Sequence, residues 1–149
     1  RWRIREAVAM ALQRLGDADM DQLLTAMQTW CAGSPLEQRA AAAGLCEPRL
    51  LRQPENARAV LHILDKITAS LEQIADRRSE AFLALRKGLG YCWSVAVAAL
   101  PGEGQALMEK WMLTPDKDVQ WIMRENLKKA RLTRVDATWV KEWQSKING

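Results

Sequence analysis

Acid–base chemistry in this chain would have to rest on carboxylates, because the sequence contains a single histidine, His62. Imidazole titrates nearest neutral pH, but His62 falls in an apolar helical segment and is expected to be a partly buried helix residue. Two acidic pairs, Asp17 with Asp19 and Asp116 with Asp118, stand at predicted helix starts. Carboxylates there cap free amides and offset the helix dipole. The sequence therefore favours capping and offers no catalytic set.

Metal and phosphate chemistry find equally little support. The cysteines Cys31, Cys46 and Cys92 are widely separated, whereas tetrahedral metal sites use closely spaced cysteine or histidine ligands. Cys46 and Cys92 are predicted to act as small apolar residues. Gly88 and Gly90 lie inside a predicted helix, without the strand–turn–helix setting of a phosphate loop, and should instead let two helices approach closely. We expect no cofactor, no metal and a reducing, cytoplasmic setting.

The residues best suited to hold a partner lie on the seventh predicted helix. At about 100° per residue, one flank of this helix groups an aromatic side chain with several cations. Such a group can hold an acidic protein segment, another anion or nucleic acid; the alternative is a packed tryptophan beside an ordinary solvated face. The candidate partner-binding residues are Trp121, Arg124, Lys128, Arg131, Gln120 and, from a repeated phrase described below, Arg86.

All of these candidate residues are predicted to lie in or next to α-helices. The composition is rich in helix formers and poor in β-branched residues, and capping residues, prolines and glycines divide the chain into short-looped segments. The clearest start is Ser34-Pro35-Leu36-Glu37, with its N-cap, first-turn proline and capping-box glutamate. Eight helices are predicted, at about 2–15, 19–32, 35–46, 54–75, 79–99, 103–113, 116–130 and 136–147.

Four helices share a similar phrase, and this repetition predicts the architecture. The phrases begin at Ile4, Gln38, Leu85 and Val119, at separations of 34, 47 and 34 residues, with one helix between each pair. Stacked helical hairpins require such a spacing, because each hairpin buries its apolar face on the next. Two phrases in particular, WRIREAVAMAL at residues 2–12 and PDKDVQW at residues 115–121, resemble the second helix of HEAT repeats.

The resemblance covers essentially the whole chain and extends to bacterial HEAT-like proteins that include phycobilisome-lyase-type repeats. It implies an all-α, right-handed α–α superhelix, a solenoid of about four helix pairs, as a single domain over residues 1–149. It also implies that the phrase arginines join acidic residues of neighbouring repeats. Gln120 departs from the pattern, in which arginine is usual, and so does Gln38, where valine is usual.

Because the first phrase resembles a second helix, the chain is expected to be a fragment that enters the solenoid in mid-repeat. Its first helix would then expose apolar surface that a missing neighbour would cover. We predict an apolar patch around Trp2, Ile4 and Val8.

Charge and composition narrow the function classes. The net charge is +4, and residues 122–149 hold seven basic and three acidic side chains, so the basic excess lies at the C-terminal end. No segment is long and apolar enough for a membrane span. The sequence favours a non-enzymatic scaffold that binds an acidic protein segment or another anion on its concave face. The alternatives are a nucleic-acid-binding or DNA-repair protein similar to alkylpurine DNA glycosylases and, by analogy alone, a bilin-lyase-like chaperone; the oligomeric state stays open.

Overall fold

The computed structural model describes residues 2–148, which form eight α-helices and contain no strand. The predicted all-α class is confirmed. Two short 3₁₀ turns, Pro48–Leu51 and Leu71–Gln73, flank the fourth helix. The helices are α1 Trp2–Ala18, α2 Met20–Trp30, α3 Pro35–Leu45, α4 Pro54–Ser70, α5 Glu80–Ala99, α6 Pro101–Met112, α7 Lys117–Leu127 and α8 Ala130–Asn148.

Capping residues set most helix starts as predicted. At α3, the Ser34 hydroxyl accepts from the Glu37 amide while the Glu37 carboxylate accepts from the Ser34 amide. Asp19 caps α2 and Asp116 caps α7. Asp136 adopts non-helical backbone angles inside α8 and accepts from the Trp139 amide. The predicted start at Asp136 is therefore the start of the second segment of a kinked helix.

Three helix ends differ from the prediction by three residues or more, those of α4, α1 and α7, and α7 stops at Leu127 and not near residue 130. Helix α4 stops at Ser70 and not near residue 75, because the guanidinium of Arg77 takes up two carbonyls of the turn that follows, those of Leu71 and Ile74. Helix α1 continues through Gly16 to Ala18. Gly16 is buried within α1 and does not end the helix.

The helices form two layers. In one layer α1, α3, α5 and α7 pack side by side in that order, and in the other α4 packs between α2 and α6. Consecutive helices also contact one another, and α8 closes the end against α7 and α5. Helix α5 is the centre of the first layer, in contact with both α3 and α7.

The core lies between the layers, where tryptophans fill the gaps between helices. Trp93 is completely buried, and its indole N–H donates to the Thr68 hydroxyl at 3.0 Å. The indole N–H of Trp111 donates to Asp65 at 2.8 Å. Large rings can therefore be buried without leaving a polar atom unpaired.

The exposure of His62 and of the first residues of α1 can be compared with the predictions made from the sequence. His62 is exposed, so the expectation of a partly buried histidine was wrong: it lies on the outer face of α4, opposite the apolar stripe. The predicted apolar patch is present on α1, where Trp2 and Ile4 are 63% and 68% exposed and Val8 is half-buried. Among the described residues, no helix has the length and apolarity to cross a membrane.

Candidate binding face

The predicted partner-binding residues of α7 point to different sides of the helix. The Gln120 amide donates to the carbonyls of Met112 and Thr114 at 2.8 and 2.6 Å, which ties α7 to the end of α6. Arg124 is half-buried one turn later on that same flank. These two residues therefore lie away from α5.

Trp121 instead leans toward α5. The guanidinium carbon of Arg86 lies 3.9 Å from the centroid of its ring, a close cation–π contact. Beneath the ring is Gly90, where an added Cβ would lie 3.2 Å from the Trp121 side chain. The glycine thus allows the close approach of two helices that the sequence predicts.

An acidic pair at the start of α7 holds two arginines of preceding elements. Asp118 lies 2.9 Å from Arg77 and 3.0 Å from Arg86, and Asp116 also pairs with Arg77. Burial by itself raises the pKa of Asp116, but hydrogen bonds from the Val119 amide, from Arg77 and from the Asp118 amide outweigh it and hold that pKa below its usual value. The candidate residue Arg86 is therefore already engaged by Asp118 and Trp121.

The other phrase arginines also meet acidic residues of neighbouring helices in the same layer. Arg39 of α3 lies 3.7 Å from Glu6 of α1 and its guanidinium donates to the Arg5 carbonyl. Arg5 lies 4.0 Å from Glu80 of α5. These contacts join α1, α3 and α5 by charge as well as by packing.

The outer surface of α5 gathers cations around one exposed aromatic ring. Tyr91 is 42% exposed, and the guanidinium of Arg131 lies 5.1 Å from its centroid and donates to its hydroxyl at 3.4 Å. The Lys129 ammonium lies 6.0 Å from the same ring, and Lys87 stands one turn before Tyr91. We call Lys87, Tyr91, Lys129 and Arg131 the Tyr91 cluster.

The cations of the Tyr91 cluster have no carboxylate of residues 2–148 within 4.0 Å. By contrast, Lys128, a predicted site residue, is paired with Glu125 at 2.6 Å. Of the predicted residues, Arg131 belongs to the cluster, Trp121 and Arg86 border it, and Gln120, Arg124 and Lys128 lie outside it.

Grooves run on both sides of Tyr91. One, of about 620 Å³, crosses α1, α3 and α5; the other, of about 410 Å³, lies between α5 and α7, and Lys87 and Tyr91 line both. Three carboxylates border them, and each is matched by a cation: Glu6 by Arg39, Glu47 by Arg49 and Glu125 by Lys128. The surface left uncompensated is positive.

Sequence reasoning missed Lys87, Tyr91 and Lys129. Lys87 and Tyr91 are separated by four residues, which places them on one face of α5, and this signal was available in the sequence. Lys129 joins them only because the short connection between α7 and α8 brings it over the Tyr91 ring.

Two thiols meet at the floor of the larger groove. Cys46 of the α3 end and Cys92 of α5 both line it and are both buried, in agreement with their predicted role as small apolar residues. Burial, followed by the hydrogen bond with Cys92, raises the pKa of the Cys46 thiol well above its usual value. A thiol in that state is a poor nucleophile.

Among residues 2–148, no group of three or more histidine, cysteine or acidic side chains could hold a metal ion. The fold and this face describe an all-helical protein with a cationic, aromatic-centred surface. Comparisons with protein-family models, with curated proteins and with solved structures gave no match.

Proposed function

We propose that this protein is an interaction module that binds an acidic, extended protein segment along the exposed face of α5, on a right-handed HEAT-type superhelix. The observation that carries the proposal is the Tyr91 cluster, which places three cations near an exposed aromatic ring, none of them within 4.0 Å of a carboxylate of residues 2–148. The side-by-side order α1, α3, α5, α7 supports the solenoid, since stacked hairpins place alternate helices in one layer.

The dimensions of the face suit a short peptide. The exposed part of α5, from Leu83 to Tyr91, extends about 12 Å at 1.5 Å per residue, which matches about four residues of extended chain at 3.3 Å each. Grooves flanking Tyr91 can take side chains that point to alternate sides of such a chain. Acidic side chains would meet Lys87, Lys129 and Arg131 there.

The cations are available because no carboxylate among the described residues lies within 4.0 Å of them. Charges of this kind contribute mainly to association rate and specificity, while Tyr91 contributes apolar contact area with little loss of side-chain freedom. The acidic partner is therefore expected to bind faster at low salt, in keeping with screening of exposed charges.

Charge reversal tests the proposal with a matched control. The variant Lys87→Glu/Arg131→Glu should weaken binding of a fluorescent ten-residue Asp/Glu-rich peptide at least about tenfold, a loss of about 1.4 kcal/mol, because two attractive contacts become repulsive. Lys117→Glu/Lys141→Glu makes the same change in net charge at exposed positions that line neither groove. Fluorescence anisotropy should show less than about a twofold change for the control; equal losses in both variants would refute a localised site.

A second candidate, a nucleic-acid enzyme of the glycosylase type, is favoured by one specific observation. Glu125 lines the α5–α7 groove together with Tyr91 and Trp121, so a carboxylate does lie among aromatic side chains. Its close pairing with Lys128 favours a structural role. The distinguishing experiment is an electrophoretic shift with single-stranded and duplex DNA across a salt series, followed by assay of alkylated-base release by the Glu125→Gln variant and the unaltered protein.

A further inference from the structure

A second pocket continues the α5 face beyond Tyr91, and three arginines line it. Arg52 follows the 3₁₀ turn after α3, while Arg131 and Arg134 come from the first two turns of α8; the pocket has a volume of about 500 Å³. We call it the arginine pocket. Its floor is apolar and consists of Pro48, Leu51, Val95, Ala98 and Ala99.

The charge of this pocket is uncompensated within residues 2–148. No carboxylate lines it, whereas both neighbouring grooves contain at least one. None of Arg52, Arg131 and Arg134 forms an ion pair with a described residue. Arg131 and Arg134 are also three residues apart on one helix, an arrangement in which like charges repel. An anion bound between the guanidiniums would relieve that repulsion.

We propose that the arginine pocket binds a phosphate monoester, carried by a phosphorylated side chain of the same acidic segment. This inference rests on the proposed function and specifies the chemistry of the partner. A phosphate monoester carries about −1.5 to −2 charges near pH 7 and three strong acceptor oxygens, so it matches three guanidinium forks better than a single carboxylate does. Clusters of arginine are a recurring means of phosphomotif recognition.

The position of the pocket relative to the Tyr91 cluster makes one continuous site. Val95 of the floor is one turn after Tyr91 on α5, and Arg131 belongs to both the pocket and the cluster. The contact of Arg131 with the Tyr91 hydroxyl holds this guanidinium at the boundary between them. The apolar floor is suited to the methylene or ring carbons that carry the phosphate.

The test compares one ten-residue acidic peptide in two forms, with serine or phosphoserine at a central position. For the unaltered protein the phosphorylated form should bind at least about tenfold more tightly by fluorescence anisotropy. The variant Arg52→Gln/Arg134→Gln leaves the Tyr91 cluster intact, so it should abolish this preference, chiefly by weakening binding of the phosphoserine peptide. The control Arg14→Gln/Arg78→Gln removes the same charge at exposed residues outside the pocket and should keep the preference.

A parallel titration with phenyl phosphate separates the two proposals and the two possible sources of the ester. Phenyl phosphate should perturb the Val95 methyl signals in NMR spectra of the unaltered protein and not in those of Arg52→Gln/Arg134→Gln. This result would support the pocket even if neither peptide bound. In that case the ligand would be a free small phosphate ester, and only the peptide-binding function would be refuted. Equal affinity for both peptides, with no methyl perturbation, would overturn the phosphate pocket. Preferential binding of a single-stranded oligonucleotide that depends on Arg52 and Arg134 would overturn it in favour of nucleic acid. Circular dichroism would establish that each variant is folded.

Discussion

At the scale of single residues, charged side chains that are paired within the fold can be distinguished from those that are available to a binding partner. Asp118 holds Arg77 and Arg86, and Gln120 holds two carbonyls, so these groups position α7. Lys87 and Arg131 meet no carboxylate of the described residues; Arg131 contacts Tyr91, and Lys87 lines both grooves beside it. Residues of the same type therefore have different roles, which depend on the groups that lie within about 4 Å of them.

Asp116 is expected to make the free energy of unfolding depend on pH. Its pKa is lowered in the folded protein, so its contribution to stability is complete above the unfolded value of about 3.9 and is lost as pH falls through the lower folded value. The free energy of unfolding of the unaltered protein should exceed that of Asp116→Asn by a constant amount at pH 5–8.

That difference should shrink as the pH drops below about 4, again because of the ordinary aspartate pKa. Urea titrations followed by circular dichroism measure it at each pH. A difference that grew on acidification would mean that the folded-state pKa is raised, which would contradict the role of Arg77 and the two amides as stabilising partners.

At the scale of helices, the decisive feature is how closely neighbours approach. At Gly104 of α6, an added Cβ would lie 2.7 Å from the Cα of Val97 in α5, so the two helices touch backbone to backbone. Backbone atoms cannot turn aside as a long side chain can. Any larger residue at this position must therefore separate the helices.

Gly104→Ala should destabilise the protein by about 1–3 kcal/mol, the usual cost of overpacking. Gly102, in the first turn of the same helix, provides the matched control, because nothing lies within 4 Å of its added Cβ. Gly102→Ala should be neutral or stabilising by up to about 1 kcal/mol, as helix propensity and unfolded-state entropy favour alanine. Chemical denaturation of both variants checks the opposite signs; similar effects would refute the close contact.

At the scale of the whole molecule, burial is concentrated in the middle of the stack. Ten residues of α5 are buried, including Phe82 and Trp93, whereas α1 buries only Ala9 and Gly16. Helix α1 packs on α2 and α3 at one end, and α5 packs on both α3 and α7. The proposed binding face lies along the most deeply supported helix, which suits a surface that must be rigid before it meets a partner.

Native-state hydrogen exchange should follow this gradient. Amides of α5 are expected to exchange only by global unfolding, while those of α1 should exchange at least about tenfold faster through local opening, because helices with few buried contacts open at lower free energy. Mass spectrometry of peptic fragments would resolve the two helices. Equal protection of α1 and α5 would show instead that the stack unfolds as one cooperative unit.

The sequence by itself determined the all-helical class and most helix starts. These features depend on groups that are close together in the sequence. Backbone amides at the helix starts donate hydrogen bonds to side chains only a few residues away, those of Ser34, Glu37, Asp19 and Asp116. The roles of Cys46 and Cys92 as small apolar residues were likewise predicted from the sequence, and both are buried. The solenoid, its handedness and the HEAT likeness stay predictions, as does the partner.

Only the tertiary structure decided where helices end and which charges are free. Helix α4 stops at Ser70, where Arg77, paired with Asp116 and Asp118 about forty residues later, takes up carbonyls of the following turn. His62 is exposed because no other described element covers that side of α4. Arg86 is engaged by Asp118, more than thirty residues away, while Lys129 and Arg131 reach Tyr91 across the α7–α8 junction. Periodicity assigns a residue to one face of its own helix, but availability to a partner depends on contacts between helices, which a single helix does not encode.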